Sequence, residues 1–410
     1  MRRVVVTGLG AVTPIGNNVR KMWESIENSK CGIAPITNYD TATRKVTLAG
    51  EVKNFNPLDK LDKAEARRMD RFTQFAIVAS MEALEDSGID TSVEDMERCG
   101  VMVSSAIGGL STIEQECNRG NAKGFDRVSP HYIPMSIINM AAGNIAIKLG
   151  FHGMCSCVVT ACAASTNAIG DAFRQIRDGY QDVIVAGGTE ASISSFGIGG
   201  FTAMKALSTS TDPNRASIPF DKERSGFVMG EGAGILVLEE YEHAIKRNAH
   251  IYCEMVGYGS TCDAFHVTAP DPEGKYAAAC MKQAISDAGI KPGDINYINA
   301  HGTSTYLNDV SETKAIKLAF SDCYDKLMVS STKSMTGHLL GASGGVEAII
   351  TALSVYKDLV PATINYKVPD EECDLDVVPN EARRVTVNYA MSNSLGFGGH
   401  NASIIMKKYK

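Results

Sequence analysis

The stretch MEALEDSGID (residues 81–90) ends a segment of helical period, and a close parallel, KQAISDAGIK (residues 282–291), occurs in the second half of the chain. In the first copy Gly88 is a helix stop, and the apolar run CGVMVSSAIGG (99–109) follows. The second copy leads in the same way into INYINAHGTST (295–305). Each copy predicts a helix, a glycine stop, a strand and a loop of small residues, so the pattern predicts an internal duplication.

Apolar side chains repeat at helical spacing in the segments that end with the two copies, residues 72–88 and 275–289, and short runs rich in valine and isoleucine alternate with such segments elsewhere. The helical faces consist of Phe72, Phe75, Ala76, Ala79 and Ala83 in the first half and Ala278, Met281, Ile285 and Ala288 in the second. The strand-like runs are RVVVTGL (3–9), CGVMVSS (99–105), DVIVAGG (182–188), GILVLEE (234–240), DINYINA (294–300) and NASIIM (401–406). A looser match relates residues 165–188 to residues 343–363. We predict α/β layers in two halves, residues 1–250 and 251–410, that share one core.

Composition narrows the function classes. The chain has 410 residues, 44% of them hydrophobic and 21% charged, with a net charge of −7, which is typical of a globular protein and not of a nucleic-acid binder. The apolar runs are too short to cross a bilayer, and MRRVVVTGLGAV (1–12) is followed by no signal-peptide cleavage site, so we expect a first core strand and no membrane association. The segment GLGAVT (8–13) lacks the last glycine of a dinucleotide fingerprint and is interpreted as a joint between a strand and a turn.

Eleven cysteines without a CxxC pair or zinc spacing predict a reducing cytoplasm and no structural metal. One of them, Cys162, lies in VVTACAAST (158–166), after the strand-like run CSCVV (155–159) and before a helical repeat. A helix N-terminus favours the thiolate, the reactive form of cysteine. A buried core cysteine is an equally good interpretation of this stretch taken alone.

Two histidines and a glycine turn favour the catalytic interpretation. His301 lies in NAHGTSTYLNDVSE (299–312) and His338 in SSTKSMTGHLLGASGG (330–345), each after a predicted strand, where α/β folds collect their sites. In SNSLGFGGHN (392–401) the backbone N–H of Phe397 is a candidate donor to an oxyanion.

Five motifs in this order resemble the β-ketoacyl-[acyl-carrier-protein] synthases, and within them the elongating type II class. They are TAC (160–162), PFDKERSGFVMGEGAG (219–234), NAHGTST (299–305), STKSMTGHLLGASGG (331–345) and NSLGFGGHN (393–401). The resemblance runs from end to end. It implies the thiolase fold, a duplicated five-layer αβαβα arrangement, usually as a homodimer.

The same resemblance assigns the chemistry. Cys162 would accept an acyl chain from acyl carrier protein, with the backbone N–H groups of Cys162 and Phe397 holding the oxyanion. His301 and His338, each donating an Nε2–H, would stabilise the enolate that malonyl carrier protein forms on losing CO2. No redox cofactor or metal is required. Lys333 and Glu347 resemble the charges that orient the histidines, and a purely structural ion pair is an equal alternative.

Substrate and carrier contacts are implied as well. Ile107, Phe201 and Phe397 would line or gate an acyl tunnel, or the first two would be plain core. Thr303 and Thr305 would hydrogen-bond the pantetheine arm, and Glu347 is counted with this substrate-binding set. KLDKAEARRMDR (60–71) is either a dock for the acidic carrier protein or a solvated basic face. The candidate docking residues are Lys63, Arg67 and Arg68 from this stretch, with Arg127 and Lys205 as additions.

The chain departs from the family pattern at four positions, where Gly, Asp, Pro and Gly are usual. They are Ser165, Ser225, Tyr306 and Asn308, and they bear on loop geometry and substrate range. Some relatives bind a structural cation near positions matching Asn299, Glu347, Ser392 and Asn393.

Three alternatives remain at this point. A polyketide ketosynthase would have the same chemistry. A non-catalytic chain-length subunit would lack the cysteine, so Cys162 argues against it. A degradative thiolase would need a second cysteine near the C-terminus, and GFGGHN (396–401) contains none.

Overall fold

The computed structural model describes residues 1–410. The strands, in chain order, are β1 Val4–Val12, β2 Ala34–Pro35, β3 Leu48–Ala49, β4 Cys99–Ser104, β5 Cys155–Ser156, β6 Val183–Glu190, β7 Gly232–Glu240, β8 Cys253–Cys262, β9 Tyr297–Asn299, β10 Met328–Ser330, β11 Leu359–Val360, β12 Arg383–Arg384, β13 Tyr389–Gly396 and β14 His400–Lys408. The helices are α1 Val19–Glu27, α2 Lys63–Ala66, α3 Arg71–Ser87, α4 Leu110–Lys123, α5 Tyr132–Ser136, α6 Met140–Leu149, α7 Ala164–Arg177, α8 Ser195–Ala203, α9 Pro213–Ala216, α10 Tyr241–Lys246, α11 Lys275–Asp287, α12 Tyr306–Ala319, α13 Lys333–Thr336 and α14 Ser343–Lys357.

Ten of the strands form one sheet in the order β10-β9-β13-β14-β8-β1-β7-β6-β4-β5. The sheet is symmetric about the antiparallel contact between β1 and β8, where Val4–Val6 pair with Met255–Cys253. Outward from β1 come β7 and β6, each antiparallel to its predecessor, and then β4 and β5 in parallel. Outward from β8, the strands β14, β13, β9 and β10 repeat this order and these directions. The two sets of strands therefore have the same topology.

Helices lie on both faces of each set of five strands, which makes five layers. α3 and α6 cover the outer face of the first set, and α11, with α12 beside it, covers the outer face of the second. α7 and α14 contact each other and strands of both sets, so they form the central layer. The largest hydrophobic cluster contains residues from both ends of the chain, among them Leu9, Ile169, Ile349 and Ile404, which confirms the expected shared core.

Paired glycines in the two central strands explain how closely the outer helices pack. A Cβ on Gly8 or Gly10 of β1 would lie 2.1 Å from Ala83 O or 1.9 Å from Ala79 O of α3. In β8, a Cβ on Gly257 or Gly259 would lie 2.4 Å from Ala284 O or 2.1 Å from Cys280 O of α11. GLGAVT (8–13) ends β1 at Val12 and leads into a turn closed by hydrogen bonds between Thr13 and Gly16, as the sequence suggested, and its glycines lie inside β1, where they admit the helix backbone.

The helices predicted from the repeated stretch are confirmed: α3 ends before Gly88 and α11 ends two residues before Gly289, both with a φ of 65°. One strand prediction is wrong in extent, because only Cys155 and Ser156 of CSCVV pair with β4. The strand that follows α14, β11, pairs with β12 outside the large sheet, and β13 occupies the place between β9 and β14.

None of the helices combines the length and the apolar character that a membrane span requires.

Candidate active site

Cys162 lies where the chain leaves the first set of strands and enters the central layer. A single turn of 3₁₀ helix, Ala161–Ala163, precedes α7, so the cysteine immediately precedes the first turn of the predicted helix. Ala161 has a left-handed φ of 50°, a conformation that costs energy for a residue with a side chain and turns Cys162 out of the strand direction. Only 9% of the cysteine surface is exposed.

Both histidines follow neighbouring strands of the second set, β9 and β10, which run parallel. Parallel strands end at the same edge of a sheet, so the two loops meet. His338 Nε2 lies 3.1 Å from Cys162 Sγ. The His301 and His338 rings stand edge to face, with centroids 5.2 Å apart and an interplanar angle of 89°. The sequence prediction that these three side chains face one another agrees with this geometry.

The second ring nitrogen of His338 has a partner that the sequence analysis missed. His338 Nδ1 lies 2.9 Å from Ser343 Oγ, which also accepts a hydrogen bond from Leu339 N at 2.9 Å. A serine hydroxyl can donate or accept, so either neutral tautomer of His338 is satisfied. One tautomer accepts a proton at Nε2, and the other presents an Nε2–H to an oxygen.

Burial decides the protonation states. It raises the pKa of Cys162 to about 12, although the charge of Lys333 and the backbone N–H groups of Phe397 and Cys162 lower it. The resting group is therefore the thiol: the backbone N–H groups favour the thiolate, as expected, but the desolvation of a buried sulfur is the larger effect. Burial and the charge of Lys333 also hold the pKa values of His301 and His338 well below the ordinary range, so both rings are neutral at pH 7.

A cavity of about 390 Å³ leads to these groups. Its lining includes the predicted residues Phe201, Thr303, Thr305, Phe397 and Lys205, together with Cys162, His301 and His338. The Phe201 ring lies between the rings of Phe227 and Phe397, with centroids 5.4 and 6.4 Å away. Aromatic walls around a reactive sulfur suit a long apolar chain.

Comparisons with known proteins agree with one another. Residues 1–244 match the model of the beta-ketoacyl synthase N-terminal domain, and residues 252–367 match that of the C-terminal domain. The chain belongs to the beta-ketoacyl synthase family. It is 53% identical over 409 residues to a 3-oxoacyl-[acyl-carrier-protein] synthase 2 of Staphylococcus aureus, covering 100% of this chain and 99% of that one. It is 51% identical over 410 residues to the enzyme of the same name from Synechocystis sp., with the same coverage.

Solved structures place this family member among ketosynthases. A ketosynthase in complex with its type II polyketide acyl-carrier protein matches with a TM-score of 0.92 and 36% identity, covering 100% of both chains. A beta-ketoacyl synthase from Burkholderia phymatum matches with a TM-score of 0.92 and 33% identity, again over both whole chains. The thiolase fold predicted from the motifs is confirmed.

Three predicted residues of this synthase do not line the cavity. Ile107 packs against the apolar cluster that contains Cys162 and Leu340 and is not among the residues that line the cavity. Lys333 and Glu347 form an ion pair with each other and are 1% and 3% exposed. Glu347 is therefore not a substrate contact, because its carboxylate faces the Lys333 ammonium and not the cavity.

A second buried carboxylate that sequence reasoning missed holds His301. Glu312, on α12, accepts hydrogen bonds from the backbone N–H of His301 and of Gly302, both at 2.8 Å. The carboxylate is 1% exposed, and burial raises its pKa to about 7. Its signal in the sequence was an acidic side chain eleven positions after His301 on the buried face of a helix.

The four departures from the family pattern fall at the site. Ser225, Tyr306 and Asn308 line the cavity, and Tyr306 OH donates to Glu372 Oε2 at 2.6 Å across its rim. Ser165, one turn after Cys162 on α7, donates to the carbonyl of Gly341. Three of the four residues therefore line the cavity and the fourth lies on the helix after Cys162, and none takes the place of Cys162 or a histidine.

Several buried polar atoms near the histidines have no hydrogen-bond partner. They are both side-chain atoms of Asn299, His301 Nδ1, Thr332 Oγ1, Glu347 Oε2 and Ser392 Oγ. Asn299 and Ser392 lie opposite each other on β9 and β13. Amide, carboxylate and hydroxyl oxygens are ligands of a hard cation, so Asn299, Glu347 and Ser392 fit the structural cation of some relatives. Asn393 fits less well, because its side chain is committed to Ser403 Oγ at 2.8 Å and to Met281.

The candidate docking residues are all exposed. Lys63 begins α2, Arg67 and Arg68 follow it, and Arg127 and Lys205 lie on other segments. The two remaining cations of the 60–71 stretch are paired: Lys60 lies 3.7 Å from Glu85 and Arg71 3.0 Å from Glu231. Of the five candidates, Lys205 lines the cavity, which places a positive charge at its mouth.

Proposed function

We propose that this protein condenses an acyl chain with a malonyl unit, both delivered as thioesters of acyl carrier protein, to give 3-oxoacyl-carrier protein, CO2 and free carrier protein. The observation that carries the proposal is the 3.1 Å contact between His338 Nε2 and Cys162 Sγ, with the His301 ring beside it on one cavity. A nucleophile, its base and a second donor thereby converge on one point.

The first half-reaction loads the acyl chain. Cys162 Sγ forms a bond to the thioester carbonyl carbon, and its proton passes to His338 Nε2 while Nδ1–H donates to Ser343. The backbone N–H groups of Cys162 and Phe397 hold the carbonyl oxygen as it becomes negative. The pantetheine sulfur then leaves with the electron pair of the broken bond and takes up the proton from Nε2.

The second half-reaction uses the other tautomer of His338. With Ser343 donating to Nδ1, both His338 and His301 present Nε2–H to the malonyl thioester oxygen, where charge develops as the bond to the carboxylate breaks and CO2 leaves. The enolate carbon forms a bond to the acyl carbon on Cys162, whose sulfur leaves and takes up one proton. That proton balances the carboxylate charge lost as CO2.

The roles of the surrounding residues follow from their contacts. Lys333, paired with Glu347, lowers the pKa values of both histidines and of Cys162, which keeps the rings neutral donors. Thr303 and Thr305, whose hydroxyls lie 2.8 Å apart on the cavity wall, bind the pantetheine arm. Phe201 and Phe397 border the acyl chain, and Ile107 limits it from behind the cysteine.

The carrier protein binds through Lys63, Arg67, Arg68, Arg127 and Lys205, whose charges complement an acidic partner.

Fatty-acid elongation is the context we favour over polyketide synthesis, because the 3-oxoacyl-[acyl-carrier-protein] synthases 2 share 51–53% identity with the chain and the polyketide ketosynthase 36%. Eleven unpaired cysteines suit a reducing cytoplasm.

We also propose a homodimer and a division of the chain into residues 1–250, with the cysteine, and 251–410, with both histidines. β5 is an edge strand of the large sheet, and an exposed edge invites pairing with another chain. Large apolar side chains lie exposed on segments near it in sequence: Ile133, Ile137, Ile147 and Val159 are 57%, 44%, 80% and 50% exposed. A second copy would cover them.

The cation of some relatives would be held by Asn299, Glu347 and Ser392. It would supply a fixed positive charge that neutralises the unpartnered oxygen of Glu347 beneath the histidine loops. Thermal unfolding in potassium chloride and in choline chloride of equal ionic strength tests it: the melting temperature is expected to be higher in potassium, and equal values contradict the site.

The reaction is tested with purified protein, malonyl carrier protein and a ladder of acyl carrier proteins of increasing chain length. A 3-oxoacyl-carrier protein two carbons longer than the acyl donor, with one CO2 released for each, is expected by mass spectrometry. CO2 release without chain extension, or extension without CO2, contradicts the proposal.

A further inference from the structure

A buried carboxylate with no part in the steps above lies between the two turns that border Cys162. Glu190, the last residue of β6, has no exposed surface. Its Oε1 accepts hydrogen bonds from Ser105 Oγ and Ser192 Oγ, both at 3.0 Å. Its Oε2 accepts from Ala106 N at 2.8 Å and from Gly341 N at 3.1 Å. Four donors from three separate segments therefore converge on one side chain.

The first of these segments is the turn that carries Ile107. Ser105 Oγ donates to Glu190 and accepts from Gly108 N at 3.0 Å, which closes the turn around Ile107. Ala106 N, immediately before Ile107, also donates to Glu190. The side chain of Ile107 packs in the apolar cluster that contains Cys162. Glu190 thus fixes the turn whose Ile107 packs against the cluster that contains Cys162.

The second segment is the turn that follows His338. Its Gly341 is held on both sides, since its N–H donates to Glu190 and its carbonyl accepts from Ser165 on the helix after Cys162. A Cβ on Gly341 would lie 2.2 Å from Ala106 N, so the two turns touch through their backbones. Between His338 and Gly341, Leu340 adopts a left-handed φ of 48°, a conformation that persists only where neighbouring residues enforce it.

We propose that Glu190 is a positioning residue for the condensation: its carboxylate holds the Ile107 turn and the His338 turn together so that His338 stays aligned on Cys162. The proposal rests on the proposed function for its kinetic consequence. Its structural consequence, at the cysteine itself, does not depend on any carrier-bound substrate.

The charge of Glu190 also reaches the sulfur. The ionised carboxylate raises the pKa of Cys162, opposing Lys333, the charged group that lowers it. Burial raises the pKa of Glu190 itself to about 7. A neutral side chain of the same shape should therefore make the thiol of Cys162 more acidic while leaving the turns in place.

The substitution Glu190→Gln supplies a neutral side chain of this shape. Its amide oxygen can take the place of Oε2 and accept from Ala106 N and Gly341 N, and its NH2 group can donate to the hydroxyls of Ser105 and Ser192, which can turn to accept. Glu190→Ala removes all four contacts. Ser192→Ala is the matched control, because it removes one donor to Glu190 and contacts neither turn.

The first measurement is the pH dependence of Cys162 alkylation by iodoacetamide, followed by peptide mapping. We expect the midpoint of the profile to lie at lower pH in Glu190→Gln than in the parent protein, and to stay at the parent value in Ser192→Ala. Because Glu190→Gln keeps the turns in place, this midpoint tests the charge of Glu190 at the sulfur, and an unmoved midpoint contradicts that charge effect.

The second measurement is condensation. Misplacement of His338 should lower kcat of Glu190→Ala on the order of 10–100-fold with little change in KM for malonyl carrier protein, and Glu190→Gln should restore most of the loss. Glu190→Ala with the parent kcat overturns the proposal. If Glu190→Ala does not fold, as judged by circular dichroism, Ser105→Ala takes its place, because it removes one donor to Glu190 and the hydrogen bond that closes the Ile107 turn; the parent kcat in Ser105→Ala then overturns the proposal. A parent protein that alkylates normally but forms no 3-oxoacyl product contradicts the proposed function alone.

Discussion

His338 Nε2 lies 3.1 Å from the sulfur of Cys162, although 176 positions separate the two residues in the chain. The contact joins the two sets of strands, since Cys162 leaves the first and His338 the second. It forms because α7 and α14, which carry the two loops, pack against each other in the central layer. The proposed nucleophile and its proposed base thus meet only once both halves have folded together.

Cys162 is expected to be the acylated residue. Incubation with a long-chain acyl carrier protein should add one acyl group at Cys162, and Cys162→Ala should add none, because no other cysteine has a histidine nitrogen at the sulfur. Intact mass and peptide mapping measure this. Cys117→Ala, which removes an exposed thiol, is the control and should load normally. An acyl group on another cysteine would contradict the assignment of Cys162 as the acylated residue.

Replacing either histidine should separate the two half-reactions. His301→Ala or His338→Ala should slow CO2 release from malonyl carrier protein on the order of 10²–10³-fold, as for the loss of an oxyanion donor. Cys162→Ala should retain CO2 release, since both donors remain. His152→Ala, at an exposed histidine, is the control. If Cys162→Ala releases no CO2 and a histidine variant releases it at the normal rate, the division of roles is wrong.

Charge reversal should test the docking surface. Arg67→Glu with Arg68→Glu should raise KM for carrier-bound substrates and leave small pantetheine thioesters nearly unaffected, and salt should act in the same direction because exposed charges are screened within about 8–10 Å. Lys246→Glu with Lys282→Glu, at two other exposed lysines, makes the same change in net charge and should have no effect. Equal losses on both substrate types would exclude the surface.

His243 should make stability depend on pH. Its nitrogens lie 2.7 Å from Glu239 Oε1 and 2.9 Å from Glu94 Oε2, and Arg247 and Thr7 also bind Glu239. The hydrogen bond to Glu239 is the main reason that its pKa is raised from 6.5 to about 9. Because its pKa is raised in the folded state, His243 contributes its full stabilisation of the fold below pH 6.5, and this contribution is lost as the pH rises from 6.5 to 9.

Denaturant unfolding between pH 6 and pH 9.5 measures this contribution. The free energy of unfolding should fall across the window by on the order of 1–2 kcal/mol more in the parent protein than in His243→Gln, as for hydrogen bonds to charged groups. His152→Gln is the control and should follow the parent. Parallel curves for the parent protein and His243→Gln would contradict the assignment.

The homodimer is tested through the exposed apolar segment near β5. Ile133→Glu with Ile137→Glu should weaken association, since charges in an apolar interface are costly to desolvate. Sedimentation over a range of concentrations gives the oligomeric state. Val93→Glu with Ile245→Glu, at two other exposed apolar residues, should leave it unchanged. A parent protein that stays monomeric at all concentrations rules the dimer out.

The sequence by itself determined the elements that follow from local pattern. The spacing of apolar residues and the glycine stops predicted α3 and α11, and the repeated stretch predicted a fold of two like halves. Motifs around Cys162, His301 and His338 identified the residues that the structure brings to one cavity. Such features depend on residues close in the chain, so they can be recognised without coordinates.

Only the tertiary structure decided which groups meet across the halves. Glu190, which accepts from Ala106 N of the first half and from Gly341 N of the second, is such a contact. Ser343 on His338 and Glu312 on the His301 backbone lie within the second half, but the loop geometry that brings them together is not visible in apolar periodicity. Burial, also a tertiary property, keeps Cys162 a neutral thiol, and the Glu347 carboxylate is buried against Lys333 and away from the cavity. The need for glycine at positions 8 and 10 of β1 is also a tertiary property, because α3 packs on these residues and leaves no space for a side chain.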